Sequence, residues 1–152
     1  MSVYKKPEKP RYLYYGSSER LDAILPSQAW HSGDKTGSRM AVYAASVRDI
    51  VLAYALGAVP DENGQLDRVM SHKYGGEVKM IFLKGRPNFG GQGYVYKLPV
   101  KGFVFNGATQ WVSFSPVKPL ETDEINVDDY LHMFRYATAE EKLQIEENFS
   151  ER

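Results

Sequence analysis

The chain of 152 residues contains no cysteine, which excludes disulfide bonds, thiolate metal sites and cysteine nucleophiles. The same absence fits a protein of the reducing cytosol, so we expect a cytoplasmic location. No apolar run approaches the roughly 18 residues that a membrane-spanning helix needs, and we therefore expect no membrane partner. Residues 1–11 are basic, contain Pro7 and Pro10 and lack an apolar segment, which favours a flexible N-terminal arm over a secretory signal.

Net charge is also absent, because the 19 basic and 19 acidic residues cancel. A protein that grips nucleic acid mainly by charge needs a basic face, so the sequence carries no strong nucleic-acid signal. The three histidines, His31, His72 and His132, lack the short spacing of a ligand pair, and we expect no metal. An acidic metal site with oxygen ligands is conceivable at Asp123, Glu124, Asp128 and Asp129. Carboxylates favoured at the start of a helix are the better explanation of these residues.

The sequence likewise lacks two well-known motifs of nucleotide and ester chemistry. There is no Gly-x-Ser-x-Gly motif, so the sequence gives no indication of the nucleophilic serine of an α/β-hydrolase. There is no Walker loop, and the glycine-rich stretch 89–93 lacks its lysine. That stretch is more typical of a hairpin turn than of a phosphate-binding loop.

Strand signals recur along the chain as short apolar and aromatic runs bounded by turn residues. They predict strands at residues 12–15, 41–45, 77–83, 93–98, 102–105, 110–114 and 123–127. Ser17 or Ser18 is predicted to begin a short helical turn that ends at Pro26. The polar segment 27–40 is predicted to be a loop, and residues 58–71 a turn-rich excursion.

The clearest helix is predicted at residues 47–56, where apolar residues recur at helical spacing and form one stripe. The stripe consists of Val47, Ile50, Val51 and Tyr54. Ser46 with Asp49 resembles a capping box at its start. Gly57 suits a left-handed stop at its end.

Two further helices are predicted near the C-terminus. One begins at Asp128 or Asp129 and includes Phe134. A Thr-x-x-Glu capping box then begins a polar surface helix at residues 139–148.

The order of these elements is strand, helix, a run of strands and then helices. It predicts an α+β fold with a split antiparallel or mixed sheet, in one domain of ordinary size. The domain proper is expected at residues 12–137, and residues 138–152 form the surface helix.

Two motifs place tyrosine and serine side chains where a strand ends, which is a usual location for a ligand site. They are Tyr-Leu-Tyr-Tyr-Gly-Ser-Ser at residues 12–18 and Val-Tyr-Ala-Ala-Ser at residues 42–46. The pair resembles the first two motifs of the ADP-ribosyltransferase-like fold of the His-Tyr-Glu type. Gly16 and Ser17 match the first motif, whereas Tyr15 stands where that family has histidine.

The resemblance implies an NAD-binding site. In that family a tyrosine stacks on the nicotinamide, and Tyr43 and Tyr54 are the candidates here, with Ser46 beside them. The third family motif, Glu-Trp-Val-Ser, resembles residues 109–113, but Gln110 replaces the glutamate that stabilises the cationic ribose. A neutral amide binds a ribose hydroxyl without offsetting that charge, and losing one such group costs about two to three orders of magnitude in rate.

The nucleotide site implied in this way draws on nine residues. It consists of Tyr15, Gly16, Ser17, His31, Arg39, Tyr43, Ser46 and Tyr54, with Gln110 in the catalytic position. Arg39 is a candidate phosphate contact from the polar loop. Against these roles, Tyr54 lies on the apolar stripe and is predicted to belong to the core, as is Trp111. Serines at turns and caps often have only a local role.

Three hypotheses remain open from the sequence. The first is an ADP-ribosyltransferase-like domain that takes NAD as substrate or ligand, with transfer to a protein acceptor weak or lost. The second is a non-catalytic module that sequesters a nucleotide or contacts a protein, and the third an unrelated α+β interaction domain. A carboxylate in the pocket, from Glu121 or Glu124 for example, would favour the first.

Overall fold

The computed structural model describes residues 8–27, 40–72 and 77–150, with the backbone alone for His72 and for residues 145–150. The strands are β1 (Leu13–Ser17), β2 (Val42–Ala45), β3 (Asp67–His72), β4 (Val78–Lys84), β5 (Gln92–Leu98), β6 (Val104–Gly107), β7 (Gln110–Ser113), β8 (Glu121–Asn126) and β9 (Phe134–Tyr136). The helices are α1 (Arg48–Ala55), a 3-10 helix (Val127–Met133) and α2 (Ala139–Ser150).

The strands form two sheets. Six of them make an antiparallel sheet in the order β6-β7-β2-β1-β5-β8. The other three make a mixed sheet, in which β3 pairs antiparallel and β9 parallel with β4. The predicted single α+β domain with a split sheet is confirmed.

Three local predictions are wrong. Residues 58–71 are predicted to be a turn-rich excursion, but β3 begins at Asp67 and is held by its pairing with β4. Phe134 leaves the helical segment, because it pairs with β4 as the first residue of β9. The helical turn after Ser17 is replaced by an irregular path with bends, in which buried Ile24 exchanges two backbone hydrogen bonds with Val117.

Helix α1 lies where it was predicted, but its start and its buried face differ. Ser46 does not cap it, since the N-cap is Val47 and no side chain bonds there. The Ser46 backbone N–H instead donates to the Thr109 carbonyl at 3.0 Å, next to β7. Tyr54 is 45% exposed and therefore is not core. The buried residues are Val51, Leu52, Ala53 and Ala55, because α1 packs against both sheets.

Two glycines allow α1 to approach the six-stranded sheet closely. A Cβ on Gly16 of β1 would lie less than 3.0 Å from the Val51 carbonyl oxygen. A Cβ on Gly93 of β5 would crowd the carbonyl of Ala55 in the same way. Such separations essentially never occur in folded proteins, so these positions fix the depth at which α1 sits.

Helix α2 begins with the predicted capping box, which is confirmed. The Thr138 N–H donates to Glu141 Oε1 at 3.0 Å, and the Glu141 N–H donates to Thr138 Oγ1 at 3.2 Å. Arg135 binds the same carboxylate through two nitrogens, each 2.7 Å from an oxygen. This paired hydrogen bonding lowers the pKa of Glu141 to about 2.

The face of the large sheet opposite to α1 has its own core, centred on Trp111, Tyr96 and Leu13. Trp111 is 2% exposed, so its predicted core position is confirmed. The Tyr96 hydroxyl accepts a hydrogen bond from the Leu21 N–H at 2.6 Å and donates to the Glu19 carbonyl at 2.9 Å. One side chain therefore fixes the segment that leaves β1.

Replacing Tyr96 by phenylalanine is expected to lower the free energy of unfolding by about 1–3 kcal/mol. The partly buried Leu21 N–H and Glu19 carbonyl would both lose their hydrogen-bond partner. Urea denaturation measures the effect. Tyr94→Phe is the matched control, since its hydroxyl donates only to exposed Glu124 at 3.3 Å. Equal losses in the two variants would contradict the anchoring role of Tyr96.

Candidate functional site

The site is located where β1 and β2 separate within the six-stranded sheet. Their pairing consists of Tyr14 with Ala45, whereas β1 stays paired with β5 over its full length and β2 with β7. Beyond that pair, residues 15–17 and 42–44 face each other across an opening.

A cavity of about 550 Å³ occupies this opening, a size within the usual range for small-molecule sites. Its lining comes from β1, β2, α1, β3 and the start of β7, together with nearby loops. The lining residues are Tyr15, Gly16, Ser17, Ser18, Ser27, Tyr43, Ala44, Ala45, Ile50, Val51, Tyr54, Gly57, Ala58, Leu66, Arg68, Thr109 and Gln110. Elements of both sheets therefore contribute to one cavity.

Most of the residues proposed from the sequence come together here. Those that line the cavity are Tyr15, Gly16, Ser17, Tyr43, Tyr54 and Gln110. Ser46 is not among the lining residues, because its backbone and hydroxyl are directed to the Thr109 carbonyl. His31 and Arg39, with most of the predicted 27–40 loop, lie outside the described residues.

The residues that line the cavity come from both faces of the large sheet, because successive residues of a strand point to opposite faces. Tyr15 packs with the core opposite to α1, where its ring centroid lies 6.3 Å from that of Tyr96. Burial, and next the neighbouring Tyr96, raise the pKa of Tyr15. Ala45 and Gly16 belong to the α1 face, where each packs against the helix.

Gln110 has a defined orientation at the start of β7. Its Oε1 accepts a hydrogen bond from Asn106 Nδ2 at 2.6 Å, so its own NH₂ group remains a donor. The tight connection between β6 and β7 brings the two amides together, with positive φ angles at Gly107 (110°) and Ala108 (50°). Asn106 therefore positions Gln110, a role that the sequence reasoning missed.

Arg68 is the second residue that the sequence reasoning missed. It is half-buried on β3, with its guanidinium carbon 5.6 Å from the centroid of the Tyr54 ring. Its Nη1 donates to the Gly57 carbonyl at 3.4 Å. Burial lowers the pKa of Arg68, and Tyr54 partly opposes this shift. The sequence signal was a cation two residues before Met70, since Arg68 and Met70 pair with the buried Phe82 and Met80 of β4.

No described residue that lines the cavity is a carboxylate. Glu121 of the edge strand β8 is one candidate substitute for the missing glutamate, and its Oε2 lies 3.8 Å from Lys97 Nζ of β5. Glu124, the other, accepts a hydrogen bond from the Tyr94 hydroxyl. Neither residue lines the cavity. Among the described residues that do line it, Arg68 is the one with a charged side chain.

Comparisons with protein-family models, with curated proteins and with solved structures find no match to this chain. Among the described residues, no three metal-ligating side chains come together. None of the helices in that part of the chain combines the length and apolar character needed to cross a membrane.

Proposed function

We propose that the chain is an ADP-ribosyltransferase-like domain that binds NAD, or a nucleotide derived from it, in the cavity between β1 and β2. The observation that carries the proposal is the convergence of three motifs that are distant in sequence. Residues 15–17, Tyr43 with Tyr54, and Gln110 all line this one cavity. The residues that suggested the family resemblance are thus neighbours in space.

The lining suits the parts of such a ligand. Aromatic rings, here Tyr43 and Tyr54, pack against planar heterocycles. The NH₂ group of Gln110 can donate to a ribose hydroxyl, since Asn106 already occupies its carbonyl oxygen. Each contact needs a group that nicotinamide riboside contains.

The absence of a carboxylate from the described wall favours binding over transfer. Cleavage of NAD develops positive charge on the ribose, and a nearby negative charge would lower that barrier. Gln110 supplies hydrogen bonds but no charge, so we propose that transfer is weak or lost. A protein acceptor belongs to the transferase form of the proposal, and a cytoplasmic location fits both forms.

Thermal unfolding with and without millimolar NAD tests the proposal. A ligand at 100 times its dissociation constant stabilises a fold by about 2.7 kcal/mol, so we expect a clear rise in melting temperature with NAD. ADP-ribose and nicotinamide are measured in parallel. Tyr54→Ala should weaken the rise, whereas Tyr136→Ala, a change at an exposed tyrosine outside the cavity, should not.

An absent shift with all three ligands would remove the proposal and leave an α+β interaction domain as the better hypothesis. A shift with NAD but no release of nicotinamide would identify the second form, a module that sequesters the nucleotide. The missing carboxylate favours that second form.

A further inference from the structure

Arg68 is a half-buried cation without a carboxylate partner among the described residues. Its neighbours in the cavity wall include Leu66 and Ala58, which are apolar, and the ring of Tyr54. Taking a charge partly out of water is unfavourable unless a partner compensates it. The Gly57 carbonyl, at 3.4 Å from Nη1, supplies one weak hydrogen bond. The other guanidinium donors have no protein partner among the described residues, so an anion that enters the cavity could bind them.

We infer that Arg68 binds a phosphate group of the ligand, so that the cavity selects phosphorylated nucleotides over nucleosides and free bases. This inference rests on the proposed function and names the ligand class of the same site. The sequence offered Arg39 of the polar loop as a candidate phosphate contact, and that residue lies outside the described ones. Arg68 comes from the second sheet and belongs to none of the motifs behind the resemblance.

The Arg68 guanidinium is oriented by its neighbours and retains donors that can bind an anion. It has five N–H donors in a planar fork, and the bond to Gly57 uses one nitrogen. Contact with the Tyr54 ring limits its rotation, since arginine stacks on aromatic faces. The remaining donors match the geometry of phosphate oxygens, which arginine binds in pairs. The apolar neighbours strengthen this attraction because they lower the local dielectric.

The position of Arg68 also divides the proposed ligand contacts between the two sides of the cavity. Tyr43 and Gln110 lie on the large sheet, where the proposed base and ribose contacts are found. Arg68 lies on β3 of the small sheet and reaches the cavity beside Tyr54 of α1. A nucleotide bound between them would direct its phosphates toward the small sheet.

Calorimetric titration with NAD, pyrophosphate and nicotinamide tests the inference. Arg68→Met keeps an apolar stem of similar length but removes the charge and the donors. We expect it to weaken NAD and pyrophosphate binding about tenfold or more, as expected for charge-assisted hydrogen bonds, and to leave nicotinamide binding unchanged. Arg68→Lys keeps the charge without the fork and should recover part of the affinity. Arg86→Ala, at an exposed arginine outside the cavity, is the matched control.

The outcomes separate the two proposals. Unchanged NAD affinity in Arg68→Met would overturn the role of Arg68 and leave NAD binding in place. Pyrophosphate binding that depends on Arg68, without NAD binding, would keep the anion site and overturn the proposed function. No binding of any of the three would remove both. Should the variants fail to fold, a shift of the Arg68 Nε–H resonance of the natural chain with pyrophosphate supports the inference, and no shift overturns it.

Discussion

Replacing Gln110 by glutamate is expected to raise the rate of NAD cleavage by about two to three orders of magnitude. Gln110 lines the cavity at the start of β7, and no carboxylate is present in its described wall. A glutamate of nearly the same shape would place negative charge where positive charge develops on the ribose. Asn106 Nδ2, now 2.6 Å from Oε1, would bind the new carboxylate and hold it in place. Release of nicotinamide, followed by chromatography, measures the rate.

Two controls make this result specific. Gln92→Glu introduces the same charge at an exposed position of β5 outside the cavity, and it should leave the rate unchanged. Adding Asn106→Ala to Gln110→Glu should lose part of the gained rate, because the carboxylate loses its positioning hydrogen bond. An inactive Gln110→Glu protein that still binds NAD would mean that the cavity does not hold the ribose near this position.

Replacing Gly16 by alanine is expected to lower the free energy of unfolding by about 3 kcal/mol. The added Cβ would lie less than 3.0 Å from the carbonyl oxygen of Val51. That atom belongs to the backbone of α1, so relief requires the helix to move within the core that it forms with both sheets. Gly93→Ala should have a similar effect, because its Cβ would meet the Ala55 carbonyl. Urea denaturation at neutral pH measures both variants.

Gly102→Ala is the control for this pair. Its Cβ would meet no atom within 4 Å, but its φ of +88° is unfavourable for alanine, which predicts a loss of about 1 kcal/mol. A Gly16→Ala protein that is no less stable than Gly102→Ala would contradict the close approach of α1 to β1. The expected result would assign Gly16 a packing role that is independent of any ligand.

Local patterns were sufficient for much of the fold. The strands that alternate or carry apolar runs, the 3.6-residue period of α1 and the capping box of α2 all depend on neighbours in sequence. The failures involve partners that are distant in sequence. β3 is a polar strand that exists through its pairing with β4, and Phe134 leaves the helical segment because β4 accepts it as a parallel neighbour.

The residues of the candidate site also fall into those that local sequence patterns identified and those that depend on distant parts of the chain. Short motifs at strand ends identified Gly16, Tyr43 and Gln110, since a strand end and the turn after it are local features. Tyr54 was both a stacking candidate and, from its stripe, a predicted core residue, but a helix between two sheets buries a different set of residues. Arg68 could not be placed beside Tyr54 without knowing that the second sheet meets α1 at this end.

The opening between β1 and β2 divides the large sheet into two three-stranded halves, β6-β7-β2 and β1-β5-β8. Backbone pairing joins these halves through one residue pair, and α1 supports the junction from one side. Regions joined by few hydrogen bonds open at a lower free energy than the strands within each half. The two halves also share the core around Leu13, Tyr96 and Trp111. A ligand held between them would add contacts across this junction, so its binding should raise the free energy at which the junction opens.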